Sequence, residues 1–373
     1  MRVLLVRLRQ IGDVVFTTPA VHALRRWFPD ADLTYLVEAA SAPVVAGNPH
    51  LNSVIVTPRG RGVGGFLADV RLGRRLRAGR YDLAIDFHGG PRASLLTWLS
   101  GAPTRIGYTV AGRSWMYTCA VDRPRALRPR HSVENQWDLL TAIGIAPPGR
   151  ASDPVEMPVD PRAAAAVATR LAQADVDSAT ALVVVHVSAG NPFRRWPIGH
   201  FVALVSALAA ADPSRRIVVT SGPSDYDAAC RVIDDARARL GGDAAARVLS
   251  CGEFSLAELR ALIDRAALYI GGDSGPLHIA ATSRVPIVGL YGPTLPARSA
   301  PWRDPACATE SVDAGALPCR PCDQRVCEPG DFRCLASIQP EDVFAAATRA
   351  CGPPRLRASA MSEPDSRAGP HLR

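Results

Sequence analysis

A glycine-rich segment in the last third of the chain carries residue types that bind phosphate. Residues 269–282 read YIGGDSGPLHIAAT, in which an apolar strand passes through two glycines to Asp273. Ser274 or Gly275 can then cap a helix, and the unpaired amides and dipole of a helix start attract phosphate oxygens. His278 lies in the first turn of that helix, where it can donate a hydrogen bond to the same ligand. The segment predicts a diphosphate pocket, and an ordinary capped helix with a buried histidine is the alternative.

An aspartate in the loop after the first strand is a candidate general base. The loop from Arg7 to Asp13 reads RLRQIGD and lacks the dinucleotide-binding glycine fingerprint, because Gly12 is its one glycine. The loop lies at the carboxyl end of a strand, so Asp13 can accept a proton from a substrate hydroxyl. An aspartate close to a helix start is also a common cap.

Two loops of the second half offer further ligands for a phosphorylated compound. Ser188, in the stretch HVSAGNPFRRWP, can approach a phosphate, and Arg194 or Arg195 can neutralise it with forked donors. Asp225 follows the next strand, in TSGPSDY, where a carboxylate can hold ribose hydroxyls. A helix cap explains Asp225 equally well.

Aspartate pairs of the Asp-x-Asp type, which metal-dependent sugar transferases use, occur twice. Asp30-Ala-Asp32 and Asp175-Val-Asp177 both precede strands. They therefore lie at the amino ends of the sheets, opposite a cleft at the carboxyl ends. We interpret both pairs as solvated turns and expect no metal or other cofactor in catalysis.

Four of the nine cysteines fall within sixteen residues, at Cys319, Cys322, Cys327 and Cys334. In a reducing compartment this spacing favours a structural tetrathiolate zinc site over disulfides. The short spacings between the later cysteines differ from those of common zinc ribbons. An iron–sulfur cluster, an oxidisable or disulfide-bonded cluster and inert thiols remain open as alternatives.

The length and composition predict a soluble protein of two domains. A chain of 373 residues is longer than a domain with a single hydrophobic core usually is. A content of 47% hydrophobic and 21% charged residues is typical of globular proteins. No apolar run reaches the length of a membrane span, and the opening MRVLLVR has too short an apolar core for a signal peptide. We expect a cytoplasmic protein.

The positive charge is concentrated in the first half and is carried by arginine alone, since the chain has no lysine. Residues 1–150 hold 20 Arg against 10 acidic residues, a net +10, whereas the remainder holds 23 against 25, a net −2. Arginine suits forked contacts with phosphate or carboxylate. Arg59 and Arg61, after the third strand, are therefore candidate contacts to an anionic glycolipid or phosphorylated sugar. No base-stacking motif or recognition helix favours nucleic acid, and a mere compositional bias is the alternative.

Short β-rich runs alternate with amphipathic stretches in both halves, which predicts parallel sheets with crossover helices. The stretch 145–160 is dense in proline and small residues and is predicted to be the linker. We expect an α/β protein with Rossmann-like domains at 1–150 and 160–350, which face each other across a cleft. The Pro-, Ser- and Arg-rich stretch 353–373 is predicted to be a disordered tail.

Three of these motifs, in this order, resemble the lipopolysaccharide heptosyltransferase family, family 9 of the glycosyltransferases. They are Gly12-Asp13 after the opening strand, the loop that ends in Arg195-Trp196-Pro197, and the segment 272–278. The resemblance implies a GT-B fold with the acceptor in the first domain and an ADP-sugar in the second. It also implies metal-independent inversion and, as acceptor, a lipopolysaccharide core-type or other glycan. An enzyme with such a lipid-anchored acceptor is expected at the inner face of the cytoplasmic membrane.

The resemblance also implies roles for individual residues. Asp13 takes the place of the general base, and Phe254 that of the adenine-facing residue. Donor contacts are implied for Ser188, Arg194, Asp225, Asp273, Ser274, Gly275 and His278. Arg194 stands where the family tends to carry lysine, and Asp225 where a longer glutamate is common, so the identity of the sugar stays open.

Two rival functions remain at the level of sequence. One is a hexosyltransferase that acts on a small soluble acceptor. The other is a non-catalytic protein that binds nucleotide sugars or nucleic acid and uses the cysteine cluster as a partner interface. A nicotinamide dehydrogenase is disfavoured because the glycine fingerprint is missing.

Overall fold

The computed structural model describes residues 1–58, 60, 62–122, 130–187 and 191–352. Three candidate contact residues, Arg59, Arg61 and Ser188, lie outside the described residues. The predicted tail at 353–373 also lies outside them.

The first half forms a six-stranded parallel sheet in the order β3-β2-β1-β4-β5-β6. Its strands are β1 (Arg2–Val6), β2 (Asp32–Glu38), β3 (Ser53–Thr57), β4 (Leu83–Asp86), β5 (Thr104–Tyr108) and β6 (Cys119–Val121). Its helices are α1 (Ile11–Val15), α2 (Thr18–Trp27), α3 (Ala42–Val45), α4 (Gly62–Ala78), α5 (Pro91–Leu99) and α6 (Ser132–Thr141). Strand β1 is central, and Val3 pairs with Leu33 on one side and Leu83 on the other.

The second half repeats this plan, with six parallel strands in the order β12-β11-β10-β7-β8-β9. The strands are β7 (Ala181–His186), β8 (Arg215–Thr220), β9 (Val248–Leu249), β10 (Leu268–Gly272), β11 (Ile287–Tyr291) and β12 (Thr309–Asp313). The helices are α7 (Pro161–Ala172), α8 (Ile198–Ala211), α9 (Tyr226–Leu240), α10 (Gly242–Ala245), α11 (Leu256–Arg265), α12 (Gly275–Ala280), α13 (Pro296–Ser299), α14 (Arg333–Ala336) and α15 (Pro340–Cys351). No helix among the described residues has both the length and the apolar character needed to span a bilayer.

Each sheet has the strand order of a Rossmann fold, so the predicted α/β class with two Rossmann-like sheets is confirmed. The order reverses between β1 and β4 in the first sheet and between β7 and β10 in the second. Ligands bind at such switch points, beyond the carboxyl ends of the strands. Asp13 follows β1 and Asp273 follows β10, so both lie at the predicted edges.

The two halves share one hydrophobic cluster. It contains Val14 and Phe16 of the first half together with Leu277 and Trp302 of the second. Trp302 also binds the segment between the sheets, because its Nε1 donates to the Asp153 carbonyl at 2.7 Å. The sheets are thus joined by packed side chains as well as by the chain itself. The predicted domain limits at 150 and 160 stay a prediction.

Replacement of buried Val3 by alanine should lower the free energy of unfolding by about 2 kcal/mol or more. Two methyl groups are lost at roughly 0.8 kcal/mol each, and a cavity adds to the cost. The matched control is Val56→Ala on β3, because that valine is 46% exposed and its loss should change stability by less than about 0.5 kcal/mol. Denaturant unfolding of both variants measures the difference, and equal losses would contradict the burial of β1.

Candidate active site

The loops that follow β1 and β10 meet face to face across the cleft between the sheets. A Cβ on Gly12 would lie 2.3 Å from Cδ2 of the His278 ring, and a Cβ on Gly275 would lie 3.0 Å from the Ile11 side chain. Side chains at these two glycines would therefore force the loops apart. Helix α1 and helix α12 touch because both positions lack a side chain.

Asp13 lies in the first turn of α1 at this junction. Its carboxylate forms an ion pair with Nη2 of Arg7, and the Asp13 side chain is 37% exposed. Arg7 is buried and its Nη1 donates to the carbonyl of Phe87 on the neighbouring chain segment. Asp13 is not a cap, because the cap position of α1 belongs to Gln10 and α1 has no side-chain cap bond. Its carboxylate is therefore held by Arg7 and partly open to solvent at the cleft.

A second carboxylate, Asp86, ends β4 and lies opposite Val6, the last residue of β1. It is fully buried and accepts hydrogen bonds from the Tyr117 hydroxyl at 2.7 Å and from the amides of His88 and Gly89. Burial raises the pKa of Asp86. Burial, with Arg7 and Arg9 nearby, lowers the pKa of His88 to about 4, so its ring is neutral near pH 7. Asp86 and His88 were not predicted from the sequence, although Asp86 ends a strand beside β1.

Asp273 is a buried carboxylate whose two oxygens have no hydrogen-bond partner. The nearest basic atoms are His278 Nε2 at 3.5 Å and Arg194 Nη1 at 3.6 Å. Burial lowers the pKa of His278, so the ring is neutral near pH 7, and its Nδ1 also has no partner. A buried carboxylate without a partner is costly, so it needs a partner such as water, an ion or a ligand. The arrangement suits a ligand that carries hydroxyl groups.

The helix that follows Asp273 is short. Helix α12 begins at Gly275, and Ser274 occupies the cap position without a side-chain cap bond. The Ser274 hydroxyl donates instead to the carbonyl of Gly272 at 3.2 Å. Of the two predicted caps, Ser274 thus has the position but not the hydrogen bond.

The two adjacent arginines of the β7 loop point to different partners. Arg194 donates from Nη1 to the Asp273 carbonyl at 2.9 Å and from Nε to the side chain of Gln324 at 2.8 Å. Arg195 pairs with the buried carboxylate of Asp225 at 3.0 Å. Sequence reasoning selected Arg194 and Asp225 but missed Arg195 as the partner of Asp225. It also missed Gln324, which no local motif marks.

A cavity of about 550 Å³ is lined by the sequence neighbours of Asp225 and Phe254, and neither of these two residues is part of its lining. Its lining comes from the loops after β8 and β9: Pro223, Ser224, Tyr226, Asp227 and Glu253. One face of the Phe254 ring is covered by the Arg170 guanidinium, whose Cζ lies 3.9 Å from the ring centroid. The loops that carry Asp225 and Phe254 therefore border one cavity, as a site for one ligand requires.

The four clustered cysteines line a separate cavity of about 310 Å³. Within the described part of the chain their thiols are free, and no three of their sulfur atoms come within 4.8 Å of one another. Four thiols around one cavity are the donor set that a sulfur-preferring metal takes. The metal assignment of Cys319, Cys322, Cys327 and Cys334 stays a prediction.

Known proteins share the sequence pattern and the fold of this chain. A sequence model of glycosyltransferase family 9 (heptosyltransferase) matches residues 70–328. The lipopolysaccharide heptosyltransferase 3 of Escherichia coli is 28% identical over 338 residues, which are 90% of this chain and 95% of that protein.

Two solved structures show the same fold. The family 9 glycosyl transferase of Veillonella parvula superimposes with a TM-score of 0.80 at 22% identity, over 94% of this chain and 97% of its own. The Escherichia coli heptosyltransferase WaaC with ADP-2-deoxy-2-fluoro heptose gives a TM-score of 0.66 at 21% identity, over 92% and 98%. The predicted GT-B fold is confirmed by these likenesses.

The family match extends over residues 70–328 and so covers well over half of the 373 residues. The chain therefore belongs to glycosyltransferase family 9, the heptosyltransferase family, and the protein is a glycosyltransferase.

Proposed function

We propose that the protein transfers a heptose from an ADP-sugar to a core-type sugar of lipopolysaccharide or a related glycan, with inversion and without a metal ion. The observation that carries the proposal is the contact of the Asp13 helix with the loop of Asp273 and His278. This contact brings the Asp13 carboxylate of the first domain to the loop of Asp273 and His278 in the second. The name of the Escherichia coli relative and the ADP-sugar analogue held by WaaC support the choice of acceptor and donor.

In the proposed reaction an acceptor hydroxyl oxygen attacks the anomeric carbon of the donor. The bond from that carbon to the diphosphate breaks, ADP leaves, and Asp13 takes the proton of the hydroxyl. Arg7 is the positioning residue for this step, because it is buried, donates a hydrogen bond to the Phe87 carbonyl and forms an ion pair with Asp13. A carboxylate fixed in this way keeps the direction that proton transfer needs.

The donor side supplies polar groups without a metal. Arg194 would neutralise the charge that grows on the departing diphosphate, and a donor of this kind contributes about 3–4 kcal/mol to the transition state. The two free oxygens of Asp273 would accept hydrogen bonds from the sugar hydroxyls. His278, neutral because of its burial, would donate one hydrogen bond and add no charge. The backbone at Ser274 and Gly275 would face the diphosphate.

We assign the nucleoside to the cavity beside Asp225 and Phe254. One face of the Phe254 ring would stack on the adenine, while Arg170 covers the other. Asp225, fixed by Arg195, would accept from the ribose hydroxyls. Ser188, which precedes the Arg194 loop, would approach the diphosphate.

The acceptor is assigned to the arginine-rich first domain. Arg59 and Arg61 would bind phosphates or acidic sugars of a lipid-anchored glycan through forked hydrogen bonds. An acceptor of this kind would bring the enzyme to the inner face of the cytoplasmic membrane as a peripheral protein. No nucleic acid is expected as a partner.

ADP-heptose should be the preferred donor in a panel of nucleotide sugars. Without acceptor, the enzyme should bind ADP-heptose and hydrolyse it slowly to ADP and free sugar, as mass spectrometry would detect. ADP alone should compete for the same site. Preference for a UDP- or GDP-hexose would refute the heptose assignment, and binding of every donor without any turnover would favour a non-catalytic protein.

Asp13→Asn should lower kcat by about 10²–10⁴-fold, the usual contribution of a general base. The dissociation constant for ADP-heptose should stay within about twofold, because the side chain acts on the acceptor. Asp30→Asn, an exposed aspartate in a turn, is the matched control and should keep wild-type turnover. Near-normal turnover of the Asp13 variant would refute its role as the base.

Gly12→Ala should lower kcat/KM at least about tenfold while Asp13 itself is retained. The new methyl group would lie 2.3 Å from a carbon of the buried His278 ring, so α1 and α12 cannot keep their present approach. Gly199→Ala is the control, since nothing lies within 4 Å of a Cβ there. Steady-state kinetics on both variants test the point. Equal activity of the two would show that catalysis does not use this approach of the loops.

A further inference from the structure

Three side chains with metal-binding atoms converge where the interdomain segment leaves the first domain. His22 belongs to α2, His50 precedes β3, and Glu156 lies in the segment between α6 and α7. Their ligand atoms all lie within 4.8 Å of one another, and all three residues are half-buried. None of them belongs to the cleft residues described above.

The spacing of these atoms is close to that of a tetrahedral site. Zinc bonds of about 2.0–2.1 Å place two ligands of a tetrahedron roughly 3.3 Å apart. His50 Nε2 lies 3.3 Å from Glu156 Oε2, and His22 Nδ1 lies 3.6 Å from Glu156 Oε1. The two imidazole rings are stacked, with centroids 4.5 Å apart, so one ring must rotate about its Cβ–Cγ bond to share an ion with the other.

The backbone around the three side chains is fixed before any ion binds. The Glu156 amide donates to the Thr18 hydroxyl at 2.8 Å. The His50 carbonyl accepts from Arg25 at 3.1 and 3.2 Å, and the His50 amide donates to Asn48 at 2.9 Å. A site held by such outer contacts loses little freedom when it takes an ion.

The groups around the three side chains are compatible with a bound cation. His22 Nδ1 is buried and has no hydrogen-bond partner. Two arginines nearby oppose a cation, but Arg26 is paired with Asp153 and Arg25 is bonded to carbonyls.

We propose that His22, His50 and Glu156 bind a divalent transition-metal ion, with zinc the best match to two imidazoles and a carboxylate. The fourth position is left to water, which reaches it from a cavity of about 640 Å³ that His50 and Glu156 help to line. The ion joins the interdomain segment to α2 and to the loop before β3. It is a structural ion of the linker and takes no part in the transfer reaction.

Metal titration of the full-length protein tests the site. Protein freed of metal by a chelator is titrated with Zn²⁺ in a calorimeter and, separately, with Co²⁺ in a spectrophotometer. The wild type should bind one more ion than His22→Ala/His50→Ala. The extra Co²⁺ should lack the thiolate-to-metal absorption that ions at the clustered cysteines would give.

Circular dichroism shows whether the double variant is folded. If it is not, one single variant and one control variant still test the site. Glu156→Gln keeps the shape of the side chain and should weaken zinc binding at this site at least about tenfold. His200→Ala, a histidine on α8, is the matched control and should bind zinc as the wild type does. Equal zinc stoichiometry and affinity in the wild type, Glu156→Gln and, if folded, the double variant would overturn the proposal.

Discussion

The site depends on one close approach, that of Gly12 to the ring of His278 across the cleft. No other residue type fits at position 12 in this arrangement, because a Cβ would overlap the ring. The contact brings the following residue, Asp13, to the loop that holds Asp273. The proposed transfer requires that this carboxylate reach a sugar held by the other domain. The absence of a side chain at position 12 allows the two loops to make this contact.

A row of aromatic rings packs against His278 and continues from it to Trp302. The His278 ring lies 4.3 Å from Phe16, Phe16 lies 5.1 Å from His131, and His131 lies 4.8 Å from Trp302. His131 accepts from the Val133 amide at Nδ1 and donates from Nε2 to the Ala300 carbonyl, so it is neutral. Burial lowers its pKa to about 3. Because no ring in the row is charged near pH 7, the row itself packs between the domains without burying an ion.

The sequence predicted the candidate residues that follow strand ends. It did not predict contacts between side chains from distant segments of the chain. Asp13 and Asp225 were selected because they follow parallel strands, and Asp273 because it belongs to the glycine-rich start of a helix. In the structure they follow β1, β8 and β10, respectively. The ion pair of Asp13 with Arg7 could not be predicted, since the turn of the loop sets the direction of both side chains. Strands such as β12, which reads TESVD, were missed because an edge strand needs no apolar run.

Gln324 also could not be predicted from the sequence, because it contacts Arg194, which lies 130 residues away along the chain. It belongs to the cysteine-rich segment and accepts from both Arg194 and Asn191, while Phe332 of that segment packs on Phe193 at 5.3 Å. Gln324 and Phe332 both have left-handed backbones, with φ of 60° and 49°. Such conformations cost free energy and persist where the surroundings hold them. The strain therefore lies where the segment touches the loop of Arg194, which indicates that the cysteine-rich segment positions Arg194 whatever the state of its thiols.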